Sequence, residues 1–109
     1  MFDKLDAVVK RFEVITERLN DPTLYDRPDE LRTINQERSS IEPIVLKYQE
    51  YKKRKTGIAD NRELLLTEKD EDMREMAKEE LAELEAGMPA LEQELKLLLI
   101  PKDPADEKT

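Results

Sequence analysis

From Ala77 to Leu98 the apolar residues fall at alternating intervals of four and three: Ala77, Leu81, Leu84, Met88, Leu91, Leu95 and Leu98. That spacing keeps one face of a helix apolar over six steps and makes a seam on which another helix must pack. Thr67-Glu68-Lys69-Asp70 reads as the start of this helix, with Thr67 as cap and Asp70 reaching back in a capping-box sense. Glu68, Asp70, Glu71 and Asp72 place negative charge at the positive end of the helix dipole. Pro101 ends the run, because it disfavours helical geometry in the residue before it. A helix continuous from Lys69 to Ile100 is about 48 Å long at 1.5 Å per residue. Gly87 and Pro89 lie inside it. Two helices with a break are one reading; the register held by Leu84, Met88 and Leu91 across the proline favours one kinked helix.

Upstream, the same pattern repeats twice. Phe2, Leu5, Val9, Phe12, Ile15 and Leu19 mark an amphipathic helix over about 2–19, stopped by Asn20-Asp21-Pro22. Pro22 to Arg27 reads as a loop, and Pro28 with Asp29 and Glu30 suits the first turn of a second helix. Leu31, Ile34, Ile41, Val45 and Tyr48 form its stripe, with Arg38 in a seam position. Pro43 interrupts the backbone, and Ser39-Ser40-Ile41-Glu42 could cap a fresh helix there. The unbroken register favours a kink. Thr56-Gly57 resembles a helix end, yet Ile44, Tyr51, Ile58 and Leu65 repeat at steps of seven across it, which carries the helix to about Leu66. Only a few residues then link it to the last helix, so the two are antiparallel neighbours, with Ile44–Leu66 facing Lys69–Ile100 through Tyr48, Tyr51, Ile58, Leu65, Leu81, Leu84, Met88 and Leu91. The fold class is all-α: an elongated helical hairpin or coiled-coil-like bundle of about three helices, the later ones long and kinked at Pro43 and Pro89.

Composition agrees with narrow seams. Charged residues make up 42% and aromatics 5% of the 109 residues, too polar for a thick core. With no cysteine and no histidine, disulfides, thiol catalysis and the common zinc sites are excluded. No segment approaches 18 consecutive apolar residues, no signal-peptide core opens the chain, and a cytoplasmic location without membrane contact is expected. Two glycines make no phosphate-binding loop, and scattered aromatics make no base-stacking platform. Glu79 with Glu83, or Glu80 with Glu83, share a helix face without a partner that would make them catalytic. Met73, Met76 and Met88 read as core residues. No catalytic, cofactor-binding or metal-binding residue is assigned, and no cofactor is expected.

The net charge of −8 is uneven. From Thr67 onward there are 14 acids and 6 bases; before it there are 13 of each. An acidic last helix argues against its gripping nucleic acid. Lys52-Lys53-Arg54-Lys55 is the one dense basic cluster, a candidate phosphate contact on RNA or a solvated helix turn.

Two stretches carry a resemblance. Asp72-Met73-Arg74-Glu75-Met76-Ala77-Lys78-Glu79-Glu80-Leu81 and Leu97-Leu98-Leu99-Ile100-Pro101-Lys102-Asp103-Pro104-Ala105-Asp106-Glu107-Lys108 resemble the bacterial class-I peptide chain release factors, above all the type that reads UAA and UAG. The opening Phe2-Asp3-Lys4-Leu5 is compatible with it. The resemblance covers essentially the whole chain and implies the helical N-terminal domain of such a factor over 1–100, with 101–109 starting the linker to a core that follows. In that family the core carries a Gly-Gly-Gln loop that promotes peptidyl-tRNA hydrolysis and a Pro-x-Thr tripeptide that reads the stop codon. Here Gly57 and Gly87 stand apart, and no proline has threonine two positions on. No catalytic or codon-reading residue is therefore carried over. The resemblance implies the ribosome as partner, at the stalk base of the large subunit, and communication with the GTPase class-II release factor. An RNA-holding helical arm, as in some aminoacyl-tRNA synthetases, and a generic coiled-coil module are the alternatives that the residues leave open.

Overall fold

The computed structural model describes residues 1–101, which form three α-helices and one short 3-10 helix. The expected linker from 102 onward lies outside the described residues. Helix α1 is Phe2–Arg18, α2 is Pro28–Thr67 and α3 is Glu71–Leu98. At 40 residues, α2 is about 60 Å long by the helical rise, which matches the longest dimension of the molecule, 61 Å. The other two helices pack on it. Asp6 meets Tyr48, Arg11 meets Glu37 and Arg18 meets Glu30, so α1 runs antiparallel along the first half of α2. Lys47 meets Glu94, Arg62 meets Glu85 and Arg74 meets Leu65, so α3 runs antiparallel along the second half.

Neither internal proline breaks its helix. Pro43 and Pro89 both sit on exposed faces, and so do Ser39 and Glu85, whose carbonyls lose their usual N–H donor. Water can satisfy those carbonyls, which is why the helices tolerate the substitution. Gly57 is likewise interior to α2, as the seven-residue spacing indicates.

Three sequence expectations are corrected at the ends. Thr67 does not cap α3; it is the last residue of α2, and its hydroxyl donates to the Leu64 carbonyl at 3.5 Å. The cap is Asp70, which accepts from the Asp72 N–H at 3.2 Å, so α3 begins at Glu71. Glu68, Lys69 and Asp70 make the link, and Arg74 fastens it by donating to the carbonyls of Leu65 at 2.7 Å and Glu68 at 3.0 Å. These include acceptors that a helix C-terminus leaves without a partner. At its far end α3 stops at Leu98, two residues short of Ile100, in a last turn where the Ile100 N–H reaches the Leu97 carbonyl. The expected loop at Pro22–Arg27 is instead a 3-10 helix, Pro22–Asp26. Asp21 accepts from both the N–H and the hydroxyl of Thr23, and Leu24 is driven to 1% exposure.

The core is two clusters strung along α2. One joins Ile15, Leu24 and Ile34, and the other joins all three helices through Leu5, Tyr48, Tyr51, Leu91 and Leu95. Leu98 points partly outward, and Leu99, four residues beyond Leu95, packs on the cluster in its place. Arg38, the charged seam residue, is accommodated by lying over the Phe12 ring at 4.9 Å while pairing with Glu42.

Candidate functional site

The basic cluster is dispersed by the helix that carries it. Four consecutive residues at 3.6 per turn point in four directions. Lys52 Nζ lies 4.3 Å from the centre of the Tyr48 ring and 3.9 Å from Asp6. Arg54 crosses to α3, where its guanidinium approaches the Leu84 carbonyl at 3.5 Å and covers Gly87. A Cβ built on Gly87 would stand 2.6 Å from Arg54 Nη1. Gly87 thus leaves room for an arginine from the neighbouring helix, a pairing that no spacing rule reveals. Only Lys53 and Lys55 remain as exposed members of the cluster without an ion pair among the described residues.

Tyr48 and Tyr51 anchor the junction of the three helices. Their rings lie 6.4 Å apart, and Phe2 closes over them at 5.3 Å from Tyr51. The Tyr48 hydroxyl donates to Asp6 at 2.8 Å. Burial first, and the adjacent Asp6 carboxylate second, push its pKa up to about 12. Tyr51 is raised for the same kind of reason, burial and then Glu92. Both rings are therefore neutral structural groups at ordinary pH.

The methionine expectation holds for one of three. Met88 packs on the central cluster, but Met73 is 44% and Met76 65% exposed. They lie on α3 near its beginning. With Leu64 and Asn61 of α2 they line a groove along the hairpin, whose remaining walls are Ala77, Glu79, Glu80 and Glu83. Among the described residues its lining is four apolar side chains, Asn61 and three carboxylates, with no base. Asn61 is 8% exposed; its Nδ2 donates to the Gly57 carbonyl at 2.9 Å, and its Oδ1 accepts no hydrogen bond among the described residues. The sequence signal for this surface was present in the acidic bias of α3, but the exposure of the methionines was not. A second apolar stretch, Leu97, Leu98 and Ile100, lies exposed at the other end of α3. These surfaces suit contact with another macromolecule. Among the described residues no helix is long and apolar enough to cross a membrane.

Comparison with known proteins supplies the context. The chain is 51% identical to peptide chain release factor 1 of Anaeromyxobacter sp. (strain Fw109-5), over 96% of this chain and 28% of that protein. It is 48% identical to peptide chain release factor 1 of Lysinibacillus sphaericus and 45% identical to that of Staphylococcus saprophyticus, in each case over 99% of this chain and 30% of the relative. The chain therefore spans less than a third of the length of the curated relatives it matches. No solved structure matches it. The model of the PCRF domain matches residues 8–109, nearly the whole chain, and the chain belongs to that family.

Proposed function

We propose that this chain is the N-terminal helical domain of a release factor that terminates translation at UAA and UAG, and that it acts as a binding arm without catalytic groups of its own. The observation that carries the reading is near-complete coverage of the chain, at 45–51% identity, by release factor 1 sequences more than three times as long. Residues 1–100 are the arm, and 101–109 begin the linker to the core that promotes peptidyl-tRNA hydrolysis. The partner is the cytoplasmic ribosome, at the stalk base of the large subunit, with the GTPase class-II release factor as a second contact. Charge favours protein over bare RNA at the α2–α3 end. Helix α3 carries nine acids and three bases, while the opposing basic cluster offers only Lys53 and Lys55 to a phosphate.

The test is stop-codon-dependent peptide release from programmed ribosomes. The chain alone gives release at background. The Lysinibacillus sphaericus factor with this chain in place of its matching segment releases peptide at UAA and UAG within a few-fold of its unaltered rate. Release by the isolated chain, or a chimera that no longer binds ribosomes, overturns the reading.

A further inference from the structure

We propose that the groove between Asn61–Leu64 of α2 and Met73–Glu83 of α3 receives a basic amphipathic helix of a protein partner. This deepens the protein-contact reading above and rests on it for its biological setting. Its apolar lining is Leu64, Met73, Met76 and the buried Ala77, and the two methionines are flexible thioethers that fit irregular apolar surfaces. Exposed apolar side chains grouped along one side of a monomer mark contact surfaces, whereas scattered ones carry no meaning. Here both methionines lie one turn apart on α3, opposite Leu64.

The occupant follows from shape and charge together. The groove lies between two antiparallel helices, and its α3 wall, from Met73 to Glu83, spans about 15 Å at 1.5 Å per residue. That is the length of about three helical turns, and a helix laid there presents apolar residues at intervals of three and four to the apolar lining. Glu79, Glu80 and Glu83 line the same groove with no base among the lining residues, so the flanks of the incoming helix must carry lysine or arginine. An acidic or nucleic-acid partner meets three carboxylates and is repelled. Asn61 lines the same groove from α2, its Nδ2 donating to the Gly57 carbonyl at 2.9 Å.

The experiment uses the whole chain and a synthetic helix of leucine and lysine at heptad spacing, long enough to fill the groove. The control is a peptide of the same composition, scrambled to remove its apolar face. Methionine-methyl NMR reports the location. Supporting results are saturable binding that shifts Met73 and Met76 but not Met88, at least tenfold weaker binding of the scrambled peptide, and at least tenfold weaker binding to the Met76→Asp variant. Met76 is 65% exposed, so that variant should fold, and circular dichroism checks it. Glu80→Gln with Glu83→Gln should slow association and flatten its salt dependence while leaving the apolar lining intact. Equal binding of the two peptides, shifts confined to other methyls, unchanged binding by Met76→Asp, or no binding would each overturn the groove. No ribosome enters this assay, so its failure leaves the release-factor reading standing. Failure of the chimera leaves the peptide result standing.

Discussion

Tyr48 is 5% exposed, yet its hydroxyl reaches across the α1–α2 interface to Asp6 at 2.8 Å. The apolar ring fills the seam and the polar tip ends at its edge, the usual compromise for a buried tyrosine. Burial and Asp6 raise its pKa to about 12 from the ordinary value of 10.0. The folded state therefore prefers the neutral phenol. Its contribution is whole below the unfolded pKa and is lost as the pH climbs from about 10 to about 12. Tyr48→Phe removes that titration along with the hydrogen bond. The variant should be about 1 kcal/mol less stable at neutral pH, and should lose stability less steeply above pH 10 than the wild type. Urea denaturation at several alkaline pH values measures both, and parallel slopes would show that the ring is not desolvated. The position was legible in the sequence as part of the stripe with Val45 and Ile41. Its partner was not, because Asp6 belongs to α1 and no rule of local spacing relates two helices that lie 42 residues apart at this contact.

At the scale of the helix, the two glycines separate what periodicity can and cannot tell. Stripes at intervals of three and four located α2 and the α2–α3 hairpin, because burial along a seam imposes that period on the sequence. They could not say why glycine, an unfavourable helix residue by about 1 kcal/mol against alanine, stands inside both helices. Each is there because the neighbouring helix comes close. A Cβ on Gly57 would meet Leu84 Cδ1 at 2.9 Å, and one on Gly87 would meet the Arg54 guanidinium. The two clashes differ in how easily they relax. Leu84 is half-buried between the two helices, so Gly57→Ala must push an apolar side chain aside and should cost about 1 kcal/mol net, overpacking outweighing propensity. Arg54 can swing toward water, so Gly87→Ala should be near neutral. In an Arg54→Ala background the obstacle is gone, and Gly87→Ala should then stabilise by about 1 kcal/mol. A double-mutant cycle on thermal or chemical denaturation reads the coupling directly. Additive effects would show that Arg54 does not rest on Gly87. The same reasoning explains the methionines. Met73 and Met76 look like core residues by type, but they face a side of the hairpin where α1 no longer runs, since α1 covers only the first half of α2.

For the molecule as a whole, that half-coverage sets how it should come apart. One long helix carries two separate partners, and the clusters differ in what they join. Ile15, Leu24 and Ile34 hold α1 and the Pro22–Asp26 turn to α2 alone. Leu5, Tyr48, Tyr51, Leu91 and Leu95 hold all three helices at the middle. Leu95 is fully buried there, and so is Ile15 in the other cluster. Truncating either to alanine should cost about 2–5 kcal/mol, the range for a large aliphatic side chain removed from a packed site. The energies can be similar while the consequences differ. Leu95→Ala weakens the cluster through which, among the described residues, α1 and α3 both bear on α2, so all three helices should lose protection together. Ile15→Ala loosens only the far end of α1, because the contacts of α3 with α2, from Lys47–Glu94 to Arg74–Leu65, do not pass through that cluster. Amide hydrogen exchange distinguishes the two, since it reports opening segment by segment. In Ile15→Ala, amides of 10–27 should exchange faster by a local route while those of 75–95 keep wild-type protection. Leu95→Ala should accelerate both sets alike. Uniform acceleration in both variants would mean that α2 transmits the loss along its whole length and that the molecule is one cooperative unit. Selective loss in Ile15→Ala would leave the α2–α3 hairpin, with its groove at Met73 and Met76, as a rigid arm that keeps its shape when the other end of the bundle opens.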